Sequence, residues 1–216
     1  MIPKVARFFW HGGPLTWLRW STLASFRRLN PDWEMKLYKP NLACIHKTWL
    51  SHELDDQGYL GEDYTNKLDM LDISIDTYPM PVPYLSPAHA CDLFQWEALY
   101  KLGGLFSDMD ILYVKPMTEV YEKVKNDSEV FCLEADDEIA IGFNLSSPVS
   151  RVFRDISLTA LKSIKPETYQ CCGTEAVYKT AGLWPLKRNQ RCGIEAIESL
   201  RKKYPSSRIA SLPYNT

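Results

Sequence analysis

Asp108 and Asp110 stand one residue apart in the stretch LGGLFSDMDILYVKP, directly after Gly103-Gly104 and ahead of a run of apolar β-formers. At a strand-end turn, two carboxylates so placed can converge on one point. Like charges at the edge of a core are costly unless something neutralises them. Hard divalent ions such as Mn²⁺ or Mg²⁺ take oxygen ligands, commonly only one or two protein carboxylates, and complete the shell with water and ligand phosphates. Asp108 and Asp110 are therefore candidates for holding a metal that in turn holds a diphosphate. The same pattern also suits a plain polar turn, because Asp favours turns through local hydrogen bonds.

A third acid belongs to the preceding segment, AHACDLFQWEALYKL. Ser86-Pro87 is a good helix start, with Ser as N-cap and Pro at the first helical position, and Gly103 ends the helix after Leu102. Cys91, Phe94, Ala98 and Leu102 mark the expected buried stripe. Asp92, Gln95 and Trp96 fall at i, i+3 and i+4, so they share another face and can address one ligand together.

These residues need a frame. KVARFFW, residues 4 to 10, reads as a buried first strand, after which Gly12-Gly13 lets the backbone turn. Trp10 at its end fits either a core tryptophan or a ring for a ligand to stack on. A helix over 14–30 follows from the spacing of Leu15, Leu18, Leu23, Phe26 and Leu29, with Asn30-Pro31 as its stop. WEMKLY, 33 to 38, is a second strand. This strand, helix, strand order calls for an α/β fold with a mainly parallel central sheet covered by helices.

Further on, helices are expected at 42–52 and 63–75, followed by an extended, proline-rich connection over 77–87. Strands are expected at ILYV (111–114), EVFCLEA (129–135), EIAIGFNLSS (138–147) and RIASLP (208–213). Helices are expected at 117–125, 150–164, 174–181 and 193–203. Residues 1–216 read as one domain, with no repeat or linker.

Composition narrows the partners. Lys and Arg number 25 against 27 acidic groups, which offers no broad attraction for nucleic acid. Cys44, Cys91, Cys132, Cys171, Cys172 and Cys192 form no C-x-x-C pair and are expected to be reduced thiols. The wide scatter of His11, His46, His52 and His89 argues against structural zinc. No stretch of 18 apolar residues and no secretion signal is visible, so a cytoplasmic location is expected and no transmembrane segment.

ACDLFQWEALYKLGGLFSDMDI resembles the signature of the DXD-containing sugar transferases, which include the yeast-type initiating mannosyltransferases and the catalytic domains of the clostridial glucosylating toxins. IPKVARFFWHGG is similar to the first strand of the same families, a Trp, one residue, then Gly. The resemblance implies a GT-A type fold, a nucleotide-sugar donor, by preference a UDP-sugar, a divalent ion, usually Mn²⁺, and a glycan or protein acceptor. Carried onto this chain, Trp10 stacks on the base, with His11 and Gly12 completing that donor-binding block. Asp92 binds donor sugar hydroxyls, Asp108 reaches ribose and metal, Asp110 ligates the metal, and Gly104 permits close backbone approach.

The chain also departs from the pattern. Gln95 stands where the family has an arginine, Phe106 lacks the hydroxyl of the family aromatic, and no His follows residue 89 to act as a third metal ligand. Lys4, Arg7, Lys101, Lys115 and Arg191 could meet phosphates or simply be solvated. Glu134, Asp136 and Asp137 fit either an acidic turn or the underside of the sugar, and Asn144 a sugar or acceptor contact. Beside a retaining glycosyltransferase, two further readings stand: a sugar-nucleotide nucleotidyltransferase, and a non-catalytic sugar-nucleotide or glycan-binding module.

Overall fold

The computed structural model describes residues 1–44, 61–134, 137–186 and 192–213. In chain order these form β1 (Val5–Phe9), α1 (Trp17–Leu29), β2 (Glu34–Pro40), a 3₁₀ helix (Thr65–Leu71), β3 (Ser74–Tyr78), α2 (Pro87–Lys101) and β4 (Gly104–Ser107). There follow α3 (Thr118–Val124), β5 (Glu129–Leu133), β6 (Ile139–Ser146), α4 (Arg151–Lys162), a short 3₁₀ helix (Tyr169–Cys171), α5 (Thr174–Ala181), α6 (Gly193–Lys203) and β7 (Ile209–Pro213).

The strands make one sheet in the order β3-β2-β1-β4-β6-β5-β7, in which β6 runs antiparallel to both of its neighbours and every other pairing is parallel. Alternation along the strands explains the layers. Phe8, Leu105 and Val130 face one core with Phe26 and Trp33, whereas Phe9, Phe106 and Phe131 face the other with Phe94, Trp96 and Phe153. Both faces are thus covered by helices, as parallel strands require. No helix among the described residues is long and apolar enough to cross a membrane.

Helix α2 starts as its caps dictate, with the Ser86 hydroxyl accepting from the His89 backbone N–H. Its burial is wider than one stripe. Leu93, Phe94, Gln95, Trp96, Ala98 and Leu99 are all buried, because α2 is wedged between the sheet and α4, while Leu102 is 45% exposed. The expected stripe is corrected at that residue. Gly103 and Gly104, at φ +64° and +94°, then let the chain enter the sheet between β1 and β6. A Cβ on Gly104 would lie 2.4 Å from the Val5 carbonyl of β1. The close approach that this glycine permits is therefore to its own sheet, and Gly104→Ala should cost about 2–4 kcal/mol, measurable as a fall in the urea midpoint.

Three other expectations are corrected. The 63–75 helix shrinks to Thr65–Leu71, because Asp72 adopts a left-handed φ of 46° and Ser74–Tyr78 then pairs with the free edge of β2 as a strand. ILYV is no strand: the Tyr113 N–H donates to the Ser25 hydroxyl of α1 and its own hydroxyl to Ser107, so the segment is tied by side chains, with Leu112 and Val114 exposed. Arg7 is not solvated; it is buried, and its guanidinium is engaged by the fold, donating to the Gly103 carbonyl at 2.8 Å and the Tyr38 hydroxyl at 2.8 Å. The expected helix at 42–52 lies mostly outside the described residues, as do Asp136 and Arg191.

Candidate active site

Strands β1 and β4 run parallel side by side, with β2 and β3 beyond β1 and β6 beyond β4, so the strand order reverses between them. In open α/β sheets ligands bind outside the carboxyl ends of the strands at such a switch point. Trp10, His11 and Gly12 follow the end of β1, and Asp108 and Asp110 follow the end of β4. Met109 between the two acids is 4% exposed and anchors the turn in the core, leaving Asp108 partly and Asp110 largely open.

The neighbouring strand completes the setting. Phe131 of β5 pairs with Asn144, but Cys132 pairs with Ala140, so residues 141–143 of β6 bow out of the ladder. Such an interruption re-aims backbone groups at a sheet end. Here the Gly142 carbonyl accepts from the Asp108 N–H at 2.8 Å. The Ile141 carbonyl accepts from both the Gln95 side-chain amide and Asn144 Nδ2, the latter at 2.8 Å. Gln95, 1% exposed, therefore holds the bulge from beneath rather than reaching into solvent. Asn144 is fully buried, and its Oδ1 has no hydrogen-bond partner among the described residues.

Glycines make room for the acids. A Cβ on Gly142 would lie 2.5 Å from Asp108 Oδ2, and one on Gly173 would lie 3.0 Å from Asp92 Oδ2. Burial, with the Asp110 charge adding and Arg19 opposing, pushes the Asp108 carboxyl up to about 7. Burial, with the Asp108 charge adding, likewise raises Asp92 well above the carboxylate range. Among the described residues, the Cys91 thiol approaches Asp108 Oδ1 at 4.0 Å. Arg19, on the first turn of α1, sets its NH1 3.5 Å from Asp110 Oδ2 and its guanidinium 5.9 Å from the Trp10 ring. Three acids with one guanidinium beside them, in glycine-lined space, fit a hard divalent cation by charge and by donor type.

The sequence names Asp92, Asp108 and Asp110, and the fold sets Asp92 and Asp110 near enough to Asp108 for their charges to interact; Arg19 and Gly142 are not named by the sequence. Trp10 is 6% exposed, donates its indole N–H to the Gly13 carbonyl at 2.7 Å and packs 4.3 Å from the His11 ring. Gly12, exposed at φ +98°, turns the chain beside them. Trp96 is fully buried and donates to the Cys172 carbonyl, so it leaves the face it shares in sequence with Asp92. Asp137 accepts from the Ile194 N–H at 2.8 Å and so caps α6.

Residues 21–131, just over half of the chain and including all three acids, match the family model described as a glycosyltransferase sugar-binding region containing a DXD motif. The chain belongs to that family. Comparison with curated proteins returned no significant match. Among solved structures, the PaToxG glycosyltransferase superposes with a TM-score of 0.56 at 13% identity, over 95% of this chain and 80% of that one. The ligand-free glycosyltransferase domain of the YGT toxin superposes at 0.49 and 10% identity, over 98% and 80%. The glycosyltransferase GlyE of Streptococcus pneumoniae TIGR4 gives 0.46 at 10% identity, over 98% of this chain and 45% of that one. At such identities the PaToxG likeness speaks for the fold, which in this DXD glycosyltransferase is of the GT-A type.

Proposed function

We propose that this glycosyltransferase transfers a sugar from a nucleotide diphosphate donor, by preference a UDP-sugar, to a hydroxyl of a glycan or protein acceptor, with retention of anomeric configuration. The observation that carries the reading is the glycine-lined Asp108 carboxyl, crowded by protein, beside Asp110 and Asp92. Asp108 and Asp110 would hold Mn²⁺ or Mg²⁺, an ion that stabilises charge on the departing diphosphate without proton transfer. Asp92, on α2, orients the donor sugar through its hydroxyls, while Trp10, with His11 and Gly12, borders the base. Gln95 and Gly104 support that site from below, through the bulge and the β1–β4 contact. The cation missing at position 95 has a counterpart in Arg19, which reaches the same acids from α1.

In this reading the acceptor hydroxyl attacks from the face the diphosphate leaves, so no protein nucleophile is needed. The test is a panel of nucleotide sugars with and without manganese. UDP-sugar with Mn²⁺ should raise the melting temperature and slowly release free UDP by hydrolysis. Binding with no turnover, even with acceptors supplied, would reject transfer in favour of a sugar-nucleotide-binding module. Formation of a sugar nucleotide from a sugar phosphate and a nucleoside triphosphate would instead favour the nucleotidyltransferase.

Proton competition supplies a second test. Because the Asp108 carboxyl sits at about 7 when folded, against an ordinary 3.8, the folded metal-free protein binds the extra proton. Its contribution to stability is therefore full at low pH and is lost as pH rises towards 7. The ion needs the deprotonated form, so the stabilisation by Mg²⁺ should be small at about pH 5.5 and grow towards pH 8. Thermal melts at fixed Mg²⁺ across that range measure it, and a shift independent of pH would place the ion elsewhere.

A further inference from the structure

The spacing of histidine and cysteine along the chain argues against zinc, yet the fold closes the 82-residue separation between His89 and Cys171. His89 lies on the first turn of α2, three residues before Asp92. Cys171 ends the short 3₁₀ helix and Cys172 follows it in helical conformation, so the chain turns there instead of extending. That turn is why two adjacent side chains point the same way, with their sulfurs 3.6 Å apart. Cys171 Sγ is 3.5 Å from His89 Nε2. All three ligand atoms lie within 4.8 Å of one another, and all three residues are buried, with exposures of 1% or less.

We propose that His89, Cys171 and Cys172 form a structural site for a zinc-class cation, separate from the hard-ion site at Asp108 and Asp110. Tetrahedral zinc with bonds of about 2.3 Å to sulfur and 2.0–2.1 Å to nitrogen sets sulfur–sulfur edges of about 3.8 Å and sulfur–nitrogen edges of about 3.5 Å. The sulfur–sulfur spacing of 3.6 Å and the Cys171–His89 spacing of 3.5 Å match these edges, and the Cys172–His89 edge lies within 4.8 Å. Two thiolates and a neutral imidazole around a divalent ion sum to zero charge, which suits a site with no access to water. Without the ion, the Thr168 carbonyl lies at hydrogen-bond distance, 3.0 Å, from His89 Nε2 and the Lys165 carbonyl accepts from the Cys171 thiol at 3.5 Å; the ion would take the place of those protons, with one of these carbonyls or a water as its fourth ligand.

The ligand set is soft where the Asp108 set is hard, so the two sites select different ions. The Lys165 N–H donates to Cys171 Sγ at 3.3 Å, which fixes that sulfur in place. The staple ties the segment before α5 to the helix that carries Asp92. Gly173, the next residue, is the one that leaves room for the Asp92 carboxylate. The site does not depend on the transfer reaction, since it rests on different residues.

Cobalt titration of reduced, chelator-treated protein tests it. One Co²⁺ per chain should bind with a sulfur-to-cobalt charge-transfer band in the near ultraviolet and the intense visible bands of a tetrahedral ion, both displaced by excess Zn²⁺, while any Co²⁺ held by Asp108 and Asp110 adds no thiolate band. The spectrum should survive Cys91→Ser and Asp110→Ala, and disappear in Cys171→Ser and in His89→Gln. Cobalt binding without the thiolate band in the wild-type chain would overturn the site even if the ligand variants fail to fold. So would a band that persists in the Cys171→Ser, Cys172→Ser double variant.

Discussion

Asp108→Asn should lower metal-dependent turnover of the donor by about two to three orders of magnitude while raising the melting temperature of the metal-free protein. The two effects have one cause. The Asp108 carboxyl is crowded by protein and faces the Asp110 charge, which Arg19 only partly offsets, and it is pushed up to about 7, so its ionised form is disfavoured in the folded metal-free chain. Asparagine keeps the shape and the backbone hydrogen bond from Asp108 N to Gly142 O, and removes the charge. A partly desolvated carboxylate that faces another acid costs stability, so its loss is a gain until the ion that it serves is added. The melting-temperature rise on adding Mn²⁺ with UDP should vanish in the variant. Steady-state UDP release and thermal melts, with and without Mn²⁺, measure both. A variant that is less stable without metal and keeps its metal response would assign Asp108 to the fold alone.

Gly142→Ala should reproduce much of that loss from the other side of the site. The added methyl would sit 2.5 Å from Asp108 Oδ2, 3.1 Å from its Cγ and 3.3 Å from its Cβ, well inside contact distance. Either the carboxylate swings away or the bulge of β6 shifts, and both dislocate a metal ligand. Overpacking of this kind costs about 1–3 kcal/mol, so a fall in the urea midpoint should accompany a fall in metal affinity of about tenfold or more. Coupling with Asp108 identifies the cause. Combined with Asp108→Ala, which empties the contested space, Gly142→Ala should cost little further stability or metal affinity, a strongly non-additive cycle. Additive losses would mean that Gly142 serves the sheet and not the carboxylate.

Much of the frame is readable because its segments are strongly periodic. Strands β1 and β2, helices α1, α2 and α4, and the final helix and strand pair announce themselves through apolar spacing and caps. Strand β3 does not, since SIDTY is half exposed at the sheet edge and carries a charge, and its role is fixed by the open side of β2. ILYV misleads in the opposite sense: its residues are β-formers, but the hydroxyls of Ser25 and Ser107 take its polar groups before a strand can.

The site divides in the same way. Asp108 and Asp110 are legible because their neighbours in sequence, the glycine pair and the strand, are also what positions them. Arg19 is not, for its approach to Asp110 comes from a helix some 90 residues away by chain and adjacent only after β1 pairs with β4. Gly142 carried a signal, since an isolated glycine inside a strand pattern marks a bulge or a close approach. Gln95 is the instructive departure. In sequence it is a lost arginine, whereas in the fold it secures the carbonyl of Ile141 and so shapes the bulge. The pairing of His89 with Cys171 and Cys172 has no sequence signature, because tertiary packing alone assembles it.

Anomalous diffraction at the manganese edge, from crystals grown with Mn²⁺ and UDP, tests the assignment most directly. An ion peak is expected within about 2.0–2.6 Å of carboxylate oxygens from Asp108 and Asp110, shared with the diphosphate. A manganese-bound diphosphate lodged elsewhere, with both carboxylates turned to water, would contradict it.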